Sequence, residues 1–170
     1  MPASLVLTIL GPDRTGIVGS LASTVSQHGG SWEESQMARL AGQFAGIVQV
    51  TCSEEVAAAL TTDLKNLESD GLQISIAQQE IPSLDSPRIQ MQLDVLGNDR
   101  PGILAEVSQA LRTQNANIVD ISTRVEPAPE SGQPIFHTIA VIAIDHQADP
   151  DELSEALEAL SPDLQVSLTT

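Results

Sequence analysis

From Ile89 to Val95 apolar and polar residues alternate, with Ile89, Met91, Leu93 and Val95 on one side and Gln90, Gln92 and Asp94 on the other. A period of two predicts a strand with one buried face. The loop Gly97-Asn98-Asp99-Arg100 follows, then Pro101 at an expected first helical position, where its missing N–H costs nothing. The period then lengthens, and a helix is expected to about Gln114. A strand is predicted from Asn117 to about Glu126 and a loop from Pro127 to Pro134. The run Ile135 to Ile144 is apolar almost throughout, which predicts a central strand covered on both faces. Asp149-Pro150-Asp151-Glu152 has an N-cap acid followed by proline at N1. Leu153, Ala156, Leu157 and Leu160 mark the buried face of that helix, and a last strand is expected at Leu164–Leu168.

The first half repeats this order. Strands are predicted at Leu5–Leu10, 31–40, 43–52 and Leu72–Ala77. Helices are expected at about Thr15–His28 and at Glu54–Ser69, the second capped by Ser53 and stopped near Gly71. Its apolar stripe is Val56, Leu60, Leu64 and Leu67. The likeness extends to residues: GPDRTGIV at 11–18 and GNDRPGIL at 97–104 stand at a constant offset of 86. Ile17, Val18, Leu21 and Val25 match Ile103, Leu104, Val107 and Leu111, a spacing that places each set on one helical face. GGSW at 29–32 falls opposite NANI at 115–118. The chain is therefore an α+β protein written twice, βαββαβ in each half. This is the ferredoxin-like split βαβ arrangement, with antiparallel sheets carrying helices on one face. Domains are expected at 1–80 and 88–170, joined by a linker at 81–87. Each half is marginal in core size, so the two sheets are expected to pack against each other.

Composition narrows the function. Aromatic residues are 2% of the 170 residues, so the cores must be built from Leu, Ile, Val and Ala. Seven basic residues against 23 acidic ones leave a net charge of −16. Phosphate backbones repel such a chain, which argues against direct contact with nucleic acid. One cysteine excludes a disulfide framework and suits a reducing compartment. No apolar run approaches the ~20 residues needed to span a bilayer, and the N-terminus lacks a basic n-region. A cytoplasmic protein is expected.

The repeated loop carries the candidate chemistry. Each copy places Gly-x-Asp-Arg-x-Gly between a strand end and a helix start, where free N–H groups and the helix dipole favour a small carboxylate. Gly16 and Gly102 would allow close approach to the backbone. Asp13 and Asp99 would face an ammonium group, and the two charges together describe an α-amino acid. Equally, the glycines make a tight turn that an Asp–Arg pair fastens. A phosphate loop is not supported: Ile17-Val18 and Ile103-Leu104 stand where Lys-Ser/Thr would have to be.

The βαββαβ order, the Asp-Arg-x-Gly-Ile-Val/Leu loop and the segments GGSW and NANI resemble ACT domains. Two such halves, with the stretch from Glu34 to Phe44, are similar to the group of glycine cleavage system transcriptional repressors. The resemblance implies a non-catalytic regulatory protein that binds a small amino acid where paired domains meet. The ligand would touch the first loop of one domain and the start of the second strand of a neighbour. Those positions are Gly11, Asp13, Arg14, Gly16 and Ile17 with Ser31 and Trp32, and Gly97, Asn98, Asp99, Arg100, Gly102 and Ile103 with Asn117 and Ile118. Asn117 matches an amide common in related domains and Ser31 departs from it, so unequal sites are expected. Glycine is suggested as ligand by the resemblance alone. The group lacks a DNA-binding domain and is thought to act through a protein partner such as a transcriptional activator. The resemblance admits a homodimer and implies neither cofactor nor metal. The competing reading is a structural or assembly module whose loops are only turns.

Other residues fall to simpler explanations. Cys52 ends an apolar strand with nothing beside it to make a nucleophilic pair. His137 is expected to be hydrogen-bonded at an interface. Asp149, near Asp145-His146, is accounted for as a helix cap. Glu33 and Glu34 face opposite ways if their strand alternates strictly, and Glu54-Glu55 suit a first helical turn. Trp32 is expected to anchor an interface rather than fill the core.

Overall fold

The computed structural model describes residues 1–80 and 88–170, and the expected linker at 81–87 lies outside the described residues. The chain divides into two compact units, Met1–Ser83 and Leu84–Thr170. The first unit contains β1 (Pro2–Pro12), α1 (Ile17–Gln27), β2 (Ser31–Leu40), β3 (Gln43–Ser53), α2 (Glu54–Asn66) with a 3₁₀ turn at Leu67–Asp70, and β4 (Gln73–Gln79). The second contains β5 (Arg88–Asn98), α3 (Ile103–Thr113), β6 (Asn117–Pro127), β7 (Pro134–Asp145), α4 (Pro150–Glu158) and β8 (Gln165–Thr169). Each sheet is antiparallel in the order β2-β3-β1-β4 or β6-β7-β5-β8, so the predicted order holds in both halves.

Each core follows from the alternation. Leu5, Leu7 and Ile9 of β1 and Val48 and Val50 of β3 point to one face, where Ile17, Leu21, Val25, Leu60 and Leu64 close over them. In the second unit Met91, Leu93 and Val95 meet Ala140 and Ile142, covered by Ile103, Val107, Leu111, Leu153 and Leu157. Val18 and Leu104, expected on the buried stripe, are 44% and 38% exposed. A helix that packs one narrow stripe on a sheet buries i, i+4 and i+8 and leaves i+1 at the rim. In α2 the stripe is Ala57, Leu60 and Leu64, with Val56 at its edge.

Three further expectations are corrected. Pro101 lies outside α3, which starts at Ile103 after Gly102 with φ +85°. Thr15 likewise precedes α1, whose N-cap is Gly16 with φ +94°. A left-handed residue cannot continue a right-handed helix, so glycine sets both starts. β7 is packed by helices on one face only: Phe136, Thr138, Ala140 and Ile142 are buried there, while on the other face Ala143 is buried, Val141 half-buried and Ile139 37% exposed. The helices lie on a single side of the sheet, so an apolar run alone does not reveal the second face. Finally, bulges at Trp32/Glu34 and Ile118/Asp120 break strict alternation in β2 and β6. Glu34 pairs with Gln49, and the Glu33 carboxylate accepts a 2.6 Å bond from the hydroxyl of Thr51, on the same face as Gln49. The two acids therefore do not face opposite ways.

The remaining singled-out residues have the following local contacts. Cys52 is buried at the end of β3, and burial pushes its thiol up. Trp32 packs against the first core, partly buried, and its indole N–H donates to Ser35 Oγ at 3.1 Å. Asp149 Oδ1 caps α4 by accepting from the Asp151 N–H, and Asp145 Oδ1 accepts from the Gln147 N–H. His137 lies on the helix-free face of its sheet, with Nε2 2.9 Å from Asp94 Oδ1 and Nδ1 3.0 Å from Arg124. No helix among the described residues is long and apolar enough to cross a membrane.

Candidate functional site

Both loops leave the end of a central strand and turn into a helix, and both begin on a glycine the fold requires. A Cβ on Gly11 would stand 2.9 Å from Leu72 Cδ2 and 3.0 Å from the Gly71 carbonyl oxygen. A Cβ on Gly97 would stand 2.5 Å from Leu164 Cδ2. Each loop is thus pressed onto the segment entering the last strand of its own sheet. At Gly16 and Gly102 nothing lies within 4 Å, and there the left-handed backbone is the reason for glycine.

Beyond the glycines the two copies diverge. In the first, the Asp13 N–H donates to the Gly42 carbonyl at 2.9 Å, and Arg39 on β2 reaches the Asp13 carboxylate at 3.4 Å. Arg14 is also engaged. In the second, the position matching Arg39 at the offset of 86 is Val125, which has no charge to offer. The Asp99 N–H donates to the Pro134 carbonyl at 3.0 Å, while its carboxylate accepts no hydrogen bond among the described residues. Arg100 turns away and grips Glu106 with both arms of its fork, at 2.9 and 2.5 Å. The Asn98 N–H donates to Asp163 Oδ2 at 2.8 Å, and Ser161 Oγ donates to the other oxygen of that carboxylate. The loop acid expected to meet an ammonium group is therefore open in the second domain and occupied in the first.

These contacts set the local electrostatics. The hydrogen bond from Arg100 holds the Glu106 carboxyl below its usual value, and Glu106 raises the guanidinium in turn. Ser161 Oγ and the Asn98 N–H hold Asp163 down. A carboxyl depressed in the folded state stabilises above its unfolded pKa, and that contribution is lost as pH falls through the folded value. Glu106→Gln is accordingly expected to cost little at pH 7, because the pair is half-exposed and screened by solvent. It should also flatten the acid limb of stability below the usual Glu value of 4.5. Urea midpoints between about pH 3 and 7 measure this, with an unchanged acid limb as the contrary result.

The starts of the second strands lie elsewhere. Gly97 pairs with Phe136 and Asn117 with Ala143, seven residues apart along β7 and so separated by about 24 Å. Gly11 and Ser31 are likewise split, opposite Phe44 and Thr51. No single domain can bring its own loop and strand start onto one small ligand. Asn117 and Ile118 instead border a cavity of about 570 Å³ beside α3, which Arg88 and Arg112 also line. Ser31 borders a smaller one of about 370 Å³ with Pro2 and Gly29. Sequence reading missed Arg39, Gly42, Glu106 and Asp163 as loop partners, and Arg88 and Arg112. The carboxylate of Asp163 stands 65 residues from Asn98, so no local motif announces it. Ser31 in place of Asn117 marks the copies as unequal, and Val125 in place of Arg39 is a second difference that sequence reading missed.

The model of the ACT domain matches residues 3–77, and a second ACT domain model matches residues 91–162. The chain belongs to the ACT domain family. Both ACT domains coincide with the two folded units. The chain is 28% identical over 163 residues to the glycine cleavage system transcriptional repressor of Escherichia coli (strain K12), covering 94% of this chain and 85% of that protein. A crystal structure of an unknown protein from Galdieria sulphuraria superposes with a TM-score of 0.82 at 30% identity, over 99% of this chain and 98% of the other. A further solved chain, provisionally named a glycine cleavage system transcriptional repressor, shares the fold at 20% identity and a TM-score of 0.71, over 99% and 97%.

Proposed function

We propose that this tandem ACT protein is a non-catalytic regulator that binds a small amino acid and transmits the state of that site by contacting another protein. The observation that carries the reading is the loop Gly97–Ile103. It joins a glycine-lined backbone at a helix start to the open carboxylate of Asp99, the complement of an α-amino acid. The Asn117 side of the site comes from the second ACT domain of another copy of this chain, because Asn117 lies about 24 Å from the loop of its own domain. Likeness to a transcriptional repressor along most of both chains supports a regulatory role and makes glycine the first ligand to try. The charge of −16 requires a protein intermediary, such as a transcriptional activator, for any effect at DNA.

The test is a thermal-unfolding screen of the intact chain against the twenty amino acids at millimolar concentration. A ligand at one hundred times its Kd adds about 2.7 kcal/mol, a rise of roughly 5–10 °C for a chain of this size. A rise with one or two amino acids establishes a sensor and names its ligand. No rise with any favours the assembly module, a reading that the Asp13–Arg39 pair supports for the first loop.

A further inference from the structure

Only seven basic residues serve this chain, and most of them are spent. Arg39 pairs with Asp13, Arg100 with Glu106 and Arg124 with Glu126. Arg14 is engaged as well. Among the described residues Arg88 and Arg112 meet no carboxylate, although acids outnumber bases by more than three to one. Both line the same cavity, bordered by the last turn of α3, the turn that follows it and the start of β6. Arg112 by itself is ordinary, since a cation suits a helix C-terminus. Arg88 is not: it opens a strand, yet it borders the same space. Asn115 and Asn117 add amide donors to that lining.

The duplication supplies an internal control. At the offset of 86, Arg88, Arg112, Asn115 and Asn117 correspond to Pro2, Ser26, Gly29 and Ser31. The first domain has a cavity at the matching place, bordered by Met1, Pro2, Gly29 and Ser31, and no arginine or lysine side chain lines it. A hollow there is thus a property of the fold, whereas the two guanidinium groups belong to the second copy alone. Asn115 holds φ +54° where the first copy has Gly29 at φ +66°. The turn is conserved in shape, and an amide has been added to it.

We infer that the cavity lined by Arg88 and Arg112 in the second domain is a binding site for a small dianionic metabolite presenting carboxylate or phosphate oxygens. Guanidinium forks bind such oxygens in pairs, and two forks match two charges. The volume of about 570 Å³ suits a small molecule. A nucleic acid would meet the repulsion of the remaining surface. A compact anion meets mainly the nearest charges, because more distant acids are screened beyond about 8 Å at physiological salt. The cavity shares Asn117 with the strand side of the proposed amino-acid site, but its two arginines lie away from the loop and it does not depend on the loop binding anything.

Calorimetric titration of the intact chain with inorganic phosphate and, separately, with succinate tests this. One saturable site per chain is expected for at least one probe, with Kd at or below about 1 mM. Whichever probe binds assigns the ligand to phosphorylated compounds or to dicarboxylates. Arg88→Gln and Arg112→Gln should each weaken binding about tenfold or more. Lys65→Gln removes a first-domain cation that meets no carboxylate among the described residues, and should leave binding unchanged. The substituted side chains are exposed, and circular dichroism checks that the variants remain folded. The inference is overturned by the absence of saturable binding up to about 10 mM of either probe, by two equal sites per chain, or by affinity that survives either arginine substitution.

Discussion

Leu7→Ala is expected to lower the unfolding free energy of the first ACT domain by about 2–5 kcal/mol, the largest stability loss among the changes considered. Leu7 lies at the centre of β1 with no exposed surface, between Val48 and Ile76 on the neighbouring strands. Truncation removes its transfer free energy and leaves a cavity in a core that contains no large aromatic at its centre. Leu, Ile and Val side chains pack in few rotamers, so little material can shift to refill the space. Thr8→Ala, one residue further on the exposed face, should stay within about 0.5 kcal/mol. Trp32 is the single tryptophan and packs against this core, so its fluorescence in a urea titration reads the affected domain directly. Equal midpoints for the two variants would contradict the assignment of the core.

Asp99→Ala and Asn117→Ala are each expected to weaken amino-acid binding by roughly 10- to 100-fold without altering the fold. Losing a hydrogen bond to a charged group costs about 1.5–3 kcal/mol. Both side chains are exposed, and neither takes part in a core. Asp13→Ala should have a smaller effect, because Arg39 already holds that carboxylate. The measurement is calorimetric titration with the amino acid that raises the melting temperature most. Affinity unchanged in Asp99→Ala would remove the second loop from the site. Affinity unchanged in Asn117→Ala alone would keep the loop and discard the composite with a strand start.

Much of the architecture was legible because it is written in local periods. Alternation in 89–95 and the 86-residue offset predict strands, helices and their order, and the register of each sheet follows from which face must be buried. Periodicity failed where burial depends on what lies across the sheet. The apolar run 135–144 looks the same whether helices cover one face or both, and Ile139, 37% exposed, lies on the face without them. Val18 and Leu104 follow the helical period yet sit at the rim, because a flat sheet accepts a narrower stripe than the pattern offers. Glycine decided the helix starts over proline, since a positive φ at Gly102 ends any continuity with Pro101.

The candidate site divides in the same way. The sequence by itself determined the duplicated loop, its glycines and its acid, because a turn into a helix is built from consecutive residues. It also set Ser31 against Asn117, and so the expected inequality of the copies. Only the tertiary structure decided which loop groups are open. Arg39 reaches Asp13 across 26 residues and Asp163 reaches Asn98 across 65, contacts that the antiparallel return of the chain creates and no local spacing encodes. Sheet register likewise carries Asn117 about 24 Å from the loop and brings it beside Arg88 and Arg112. Local chemistry is set by neighbours along the chain, whereas the partners of a charge are set by where the sheet folds it.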